Sequence, residues 1–430
     1  MKKVLIITYY WPPAGGPGVQ RMLKFVKYLP VFGWEPMIMT VKNGEYPARD
    51  ETLIKEIPEN IKVFYSNARD YSRLYRRFSG MKKDQSIPVA VLSQKDLSLK
   101  KRFAKWVRLN FVIPDAKKGW VKDGVKVGQK IIDSEKPDVI FSSSPPPTVH
   151  TIAKKLSKIN TLPWVADLRD PWSKIHYYLH NRCALANRLD ERLEHRTLRD
   201  AAAVTTVSEH FGKLISVDRN KLNIIPNGFD PDDLSFNKET INTTKNFSIA
   251  YVGGMNENRF YPEFFEQLKS FAIEKKLGPK DISLTIAGKI PDSYLDRIRN
   301  IIDENIGLNI KGYLSHPDAV SLMRSSSVLL LFMEKVENYA GHLPGKLFEY
   351  MATGNYIIGM APEEGEAGRI LRENKGGVVC IKEDEISMTL RKAYDLWERG
   401  GLKGADPKSL ENYTRKHLTE MLAKVFEDVK

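Results

Sequence analysis

"ITYYWPPAGGPGVQRMLKFVKYL" (residues 7–29) starts on the apolar end of a strand, crosses a Pro/Gly turn and continues as a helix near residues 18–29. The turn holds Gly15, Gly16 and Gly18. Strand, glycine turn and helix in this order bring backbone N–H groups up to a phosphate.

Working outward, the alternation continues. After "KVLIITYY" come "EPMIMTV" (35–41), "IKVFYS" (61–66), "PDVIFSSS" (137–144), "PWVADL" (163–168), "AAVTTVS" (202–208) and "LNIIPNG" (222–228), separated by amphipathic stretches. Strands alternating with helices mean a parallel sheet covered on both faces. Residues 229–247 lose all periodicity and are rich in Asp, Asn and Thr, as a linker is. A second series then begins: "FSIAYVGG" (247–254), "ISLTIAGK" (282–289), "LNIKGYL" (308–314), "SVLLLFM" (327–333), "NYIIGMA" (355–361) and "GGVVCI" (376–381). The expected fold is therefore α/β, with two Rossmann-like doubly wound domains over 1–235 and 236–412. The last helix, within 413–430, is expected to pack back on the first domain.

A dinucleotide site does not fit the turn. Gly16, Gly18 and Arg21 place arginine where the third glycine of the fingerprint belongs, and strand two ends "MIMTVKNG" without an acid for a ribose hydroxyl.

The 430 residues are 42% apolar, with no run long enough to cross a membrane. "MKKVLIITYYWPP" has a leader's lysines, but its apolar run is short and Pro12-Pro13 follow without a small-residue cleavage site, so it reads as a first strand. The two cysteines, Cys183 and Cys380, have neither disulfide-framework nor zinc spacing. A cytoplasmic protein is the expectation.

The net charge of +14 is concentrated. Residues 61–130 hold 18 Lys/Arg against 5 Asp/Glu, nearly the whole excess. Within that block Lys101, Arg102, Lys105 and Arg108 interleave with Phe103, Trp106, Val107 and Phe111. At helical spacing Phe103, Trp106 and Val107 share a face and the cations fall elsewhere, the pattern of a helix at an anionic membrane surface. A basic helix packed on its own domain is the plainer reading. Nucleic acid is a third, without any recognised module to accompany it.

Taken in order, "YYWPPAGGPGVQR" (9–21), "VIPDAKKGW" (112–120), "PDVIFSSSPPPTVH" (137–150), "WVADLRDPW" (164–172), "VTTVSEHF" (204–211), "IIPNGFD" (224–230), "IAYVGG" (249–254), "LTIAGK" (284–289) and "LPGKLFEYMATGNYIIG" (343–359) resemble the GT-B glycosyltransferases, specifically the family-four-like enzymes of bacterial polysaccharide synthesis. The resemblance implies two domains facing a cleft, with a nucleotide sugar held mostly by the second and the acceptor on the first.

It further implies that Pro344 and Gly345, leading into a helix, offer N–H groups to the donor's diphosphate, with Lys346 as a point charge beside them. Glu349 matches the carboxylate that takes two ribose hydroxyls. The family's first glutamate falls at Gly341, and Glu337, Asn338 or His342 stand near enough to replace it. Arg259 falls where relatives carry a diphosphate-binding lysine, while Gly254-Met255 replace their arginine. Base recognition falls to backbone around Gly288, Lys289, Tyr313 and Leu314. On the first domain, Gly15 and Gly16 face the donor's diphosphate. Asp170 and Asp167 are the carboxylates that could serve as base, although retaining relatives let the leaving phosphate help to take the acceptor proton. Asp167, Arg169 and Asp170 read equally as an internal ion-pair network. Ser143 or Ser144 replaces the family's histidine, and His150 reads as a packed residue. "DPD" (230–232) is a loop, and neither metal nor cofactor is expected.

The implied activity is sugar transfer from a nucleoside diphosphate sugar to a lipid-linked or polysaccharide acceptor, with retention, in capsule, O-antigen or exopolysaccharide synthesis. The partners are then the nucleotide sugar, the acceptor and an anionic membrane at the inner face of the plasma membrane, with Lys101, Arg102, Lys105, Trp106 and Arg108 as the docking residues. A sugar-nucleotide epimerase of the same architecture is the alternative, and a basic nucleic-acid-binding protein a more distant one.

Overall fold

A computed structural model describes residues 1–68, 99–234 and 246–430. Part of the basic block and most of the loosened stretch at 229–247 lie outside them. The chain divides into two compact units, Met1–Pro226 with Arg415–Lys430, and Asn227–Thr414.

Unit 1 is built on a seven-stranded sheet: β1 (Lys2–Thr8), β2 (Trp34–Val41), β3 (Lys62–Ser66), β4 (Val139–Ser144), β5 (Trp164–Leu168), β6 (Ala203–Thr206) and β7 (Leu222–Ile224). Its order is β3-β2-β1-β4-β5-β6-β7, and every pairing is parallel. Val4 pairs with Pro36 on one side and Val139 on the other. Val4, Leu5, Ile6 and Ile7 are all fully buried, as a strand covered on both faces must be. Four of this unit's helices position the features below: α1 (Pro17–Tyr28), α2 (Leu99–Phe111), α3 (Val121–Glu135), α4 (Thr148–Asn160); α5 (Ala184–Leu198) packs beside α2. α1 starts with Pro17, whose missing N–H costs nothing at a first turn, and buries Val19, Met22, Leu23, Phe25 and Val26. The C-terminal helix, Arg415–Val429, completes this core: its Phe426 ring lies 5.2 Å from Trp34 and 5.5 Å from Phe141.

Unit 2 repeats the plan with β8 (Phe247–Val252), β9 (Ile282–Ala287), β10 (Gly307–Gly312), β11 (Val328–Phe332), β12 (Tyr356–Met360) and β13 (Gly377–Cys380), in the order β10-β9-β8-β11-β12-β13. α6 (Pro262–Glu274), α7 (Gly345–Ala352) and α8 (Glu383–Glu398) belong to it.

Both sheets reverse their strand order once, between β1 and β4 and between β8 and β11. Right-handed crossovers then send the connecting helices to opposite faces, and the loops after the flanking strands diverge. Ligands of open α/β sheets bind there, at the strands' carboxyl ends. Among the described residues no helix is long and apolar enough to cross a membrane.

Candidate active site

In unit 2 the reversal point is lined by the loop after β8, the loop after β11 and the start of α7. Gly253, directly after β8, has φ +141°, and Gly288, directly after β9, has φ +139°. Both conformations belong to glycine. The two lie against each other: a β-carbon on Gly288 would overlap the Gly253 carbonyl, and one on Gly253 would fall on the Lys346 ammonium. Gly253 N–H donates to Ala287 O at 2.7 Å, and Gly288 N–H to Gly312 O at 2.6 Å.

α7 is fixed to β8 by one side chain. The Tyr350 hydroxyl donates to Val252 O and accepts from Val252 N–H, both at 3.1 Å. One turn earlier, Lys346 is therefore delivered over Gly253, with its ammonium 5.7 Å from the centre of the Tyr251 ring. Lys346 remains partly exposed but makes no ion pair among the described residues. Loss of hydration, with the like charge of Arg259 adding to it and Glu349 opposing both, pulls it down to about 8. Pro344 precedes α7 and contributes no side-chain cap. Glu349 is half-buried and, among the described residues, also without a hydrogen bond or ion pair.

The structure alters the expected charge count at this point. Arg259 is paired with Glu334 at 2.9 Å, so Lys346 is the cation left uncommitted of the two. Glu334, in the loop two residues after β11, was not singled out from the sequence, and neither were Gly253, Tyr251 or Tyr350; the doubled glycine after a strand was the signal available. Gly288 lies beside Gly253, Leu314 is half-buried, and Tyr313 is exposed with the Lys289 ammonium 5.0 Å from its ring centre. Gly341 is buried, and His342 N–H donates to Tyr339 O at 2.7 Å.

In unit 1 the two carboxylates proposed from the sequence have opposite surroundings. Asp167 is fully buried and accepts from Ser143 Oγ at 2.7 Å, Thr205 Oγ1 at 2.8 Å and Arg21 Nη2 at 3.3 Å. Arg21, equally buried, also donates to Ile225 O and Pro226 O at 2.8 and 2.7 Å. Asp167 thus belongs to an internal network sealed from solvent, and it cannot reach a substrate proton. Asp170 is half-buried and has no hydrogen bond or ion pair among the described residues. His150 is fully buried, bonds Ser142 Oγ through Nδ1 at 2.8 Å and stacks on Trp172; burial lowers it to about 3, so it is a neutral packing residue.

The glycine turn also requires a correction. Gly15 N–H is already donated to Ala48 O at 2.9 Å, which removes it as a phosphate ligand. Gly16 is exposed with φ +112° and its amide makes no such bond among the described residues. Gly18 is occupied in another way: a β-carbon there would fall on the Arg169 guanidinium.

α2 turns its aromatic face outward. Phe103, Trp106 and Phe111 are 67%, 47% and 65% exposed. Their rings associate with one another, at 6.2 Å for Phe103–Trp106 and 5.6 Å for Trp106–Phe111. Arg102 is exposed, Lys105 and Arg108 are half-buried, and the Lys101 side chain lies outside the described residues. The opposite face is held by Arg182, which donates to Leu109 O at 2.8 Å and stacks 3.4 Å from the Tyr178 ring centre, and by Asn110, whose Oδ1 accepts from Cys183 N–H at 2.7 Å.

Among the described residues no group of three or more His, Cys, Asp or Glu is arranged to hold a metal ion.

Residues 83–233 match the family model described as Glycosyltransferase Family 4. No curated protein matches the chain by sequence. Among solved structures the chain is similar to HepE from Anabaena in complex with UDP, at TM-score 0.64 and 13% identity, covering 100% of both chains. It is similar to a UDP-forming trehalose-phosphate synthase from Burkholderia xenovorans in complex with glucose-6-phosphate, at TM-score 0.63 and 14% identity, again over 100% of both. A putative UDP-N-acetylglucosamine 2-epimerase from Listeria monocytogenes is similar at TM-score 0.55 and 11% identity, over 100% of this chain and 98% of that one. These structural likenesses establish a shared GT-B fold.

Proposed function

We infer that this GT-B glycosyltransferase, which carries a Glycosyltransferase Family 4 domain over residues 83–233, moves a sugar from a nucleoside diphosphate sugar to a lipid-linked or polysaccharide acceptor in cell-surface glycan synthesis. The observation that carries this reading is Lys346. An uncommitted ammonium, poorly hydrated and held over a glycine at the strand-order reversal, is a site short of one anion. A nucleoside diphosphate supplies that anion, and its negative charge grows as the glycosidic bond breaks, so the interaction strengthens toward the transition state. Glu349, one turn along α7, has both carboxylate oxygens available for a pair of ribose hydroxyls.

In this reading the reaction runs with retention and without metal. The leaving phosphate takes the acceptor proton on the face where the new bond forms, and Asp170 orients the acceptor hydroxyl. The exposed aromatic face of α2, with exposed Arg102 and half-buried Lys105 and Arg108 on the same helix, supports a peripheral position on an anionic membrane, at the inner face of the plasma membrane where lipid-linked acceptors are.

Thermal-shift titration with UDP-, GDP-, dTDP- and CMP-sugars tests the donor assignment, because a ligand of the folded state raises its stability. A shift with one base, followed by acceptor-dependent release of that nucleoside diphosphate in EDTA, is the expected result. Acceptor-free conversion of a UDP-sugar to its epimer would instead favour the epimerase. No shift with any nucleotide sugar sinks both.

A further inference from the structure

Arg169 follows β5, and its position is unusual for an arginine. Its Nε donates to Ser144 O at 3.0 Å, at the carboxyl end of β4. The rest of the guanidinium lies on Gly18, in the space a β-carbon there would need. Neither terminal nitrogen has a hydrogen bond or an ion pair among the described residues. The local carboxylates do not explain the placement. Asp167 is committed to Arg21, Ser143 and Thr205. Asp170, adjacent in the chain, makes no ion pair, and the first turn of α1 contains no acid. Arg21 stands close enough for the two like charges to oppose each other. A partly exposed guanidinium is thus seated without an ion-paired carboxylate among the described residues, beside the strand-order reversal of unit 1.

We propose that Arg169 is an oxyanion-binding residue of unit 1, seated on Gly18 and Ser144 so that its two terminal nitrogens meet a phosphate or diphosphate group. A guanidinium presents two parallel N–H donors that match two oxygens of a phosphate, which an ammonium cannot do. Gly18 acts as the seat: any side chain there displaces the fork. This assignment stands on unit 1 alone and goes beyond the donor site of unit 2. The phosphate can come from the donor's diphosphate or from a lipid-linked acceptor.

The experiment uses Arg169→Gln and Gly18→Ala in the full chain, titrated calorimetrically with UDP and, at saturating UDP, with farnesyl diphosphate below its micelle concentration. Gly18 lies in the first turn of a helix with no positive φ, so Gly18→Ala should keep the wild-type melting temperature while moving only the flexible end of Arg169. Both substitutions are expected to weaken one ligand about tenfold or more, the loss of a charge-assisted pair. The double variant should be no weaker than either alone, because both remove the same interaction. Weakened UDP binding assigns the phosphate to the donor, and weakened farnesyl diphosphate binding assigns it to the acceptor. Wild-type affinity for both ligands in both variants overturns the proposal, as does a wild-type protein that binds neither. Lys346→Ala in the same titrations keeps the two sites apart: loss of UDP binding there, with Arg169→Gln at wild-type affinity for both ligands, leaves the donor reading standing and removes this one.

Discussion

The Lys346 ammonium occupies the space that a β-carbon on Gly253 would fill. Gly253→Ala therefore combines a backbone conformation that alanine resists, at φ +141°, with eviction of the Lys346 ammonium. The expected cost is about 1–3 kcal/mol of stability, together with loss of nucleoside diphosphate binding. Lys346→Ala should lose the same binding without that cost. Chemical denaturation and UDP titration of the two variants separate the effects, and equal binding by Gly253→Ala and wild type would refute the arrangement.

Binding should depend on pH through the same side chain. In the folded chain Lys346 loses its proton near pH 8, against an ordinary value of 10.5. Between those limits the unfolded chain holds a proton that the folded chain has released, so this lysine's contribution to stability rises with pH across that window. An anion over the ammonium reverses the deprotonation. Affinity for UDP is thus expected to be level below about pH 8 and to fall above it, with proton uptake on binding at pH 8–9. Calorimetry in buffers of different ionisation enthalpy reads that uptake directly, and Lys346→Arg should abolish it.

Asp167 and Asp170 offer a contrast within four residues. Asp167→Ala strands the buried charge of Arg21 and is expected to cost about 3–5 kcal/mol, measured by urea denaturation. Asp170→Asn removes a carboxylate without partners among the described residues and should change stability by less than about 0.5 kcal/mol. Its turnover should nevertheless fall roughly tenfold or more if it orients the acceptor. The reverse pattern would exchange their roles.

The outward face of α2 predicts membrane binding with two separable parts. Flotation with vesicles containing anionic lipid should recover the wild-type protein at low salt. Changing Arg102, Lys105 and Arg108 to Ser should abolish the salt-sensitive part. Changing Phe103, Trp106 and Phe111 to Ser should lower recovery at every salt concentration. Equal recovery of all three proteins would leave α2 as ordinary surface.

Much of the fold was legible before the coordinates. Each apolar run marked in the sequence became a strand of the two sheets; central strands such as β1, β2 and β11, buried on both faces, announce themselves as continuous apolar runs, while the edge strands β3, β7 and β10 remain partly exposed. The site was legible only in part. Lys346 and Glu349 could be found because they stand in a recognisable run after Pro344-Gly345. Glu334 and Arg259 could not be paired on paper, since 75 positions separate them and only the packing of β8 beside β11 makes them neighbours. Asp167 and Asp170 looked alike for the same reason: the sequence has no mark for Arg21 reaching across 146 positions to claim one of them. Gly15 misled because the partner of its amide, Ala48, is remote in the chain, and Gly18 was given no role because Arg169, which lies on it, is equally remote.

The C-terminal helix has a consequence for how the chain is made. Leu418, Leu422 and Phe426 complete the core of a unit whose other residues end at Pro226, so unit 2 is inserted within unit 1. During synthesis, the residues that finish the first unit emerge after the whole of the second. Unit 2, continuous from Asn227 to Thr414, can close while unit 1 still has Trp34 and Phe141 waiting for Phe426. A fragment stopping at Pro226 would keep that apolar face bare, so separating the two units by expression requires carrying the last helix along with the first.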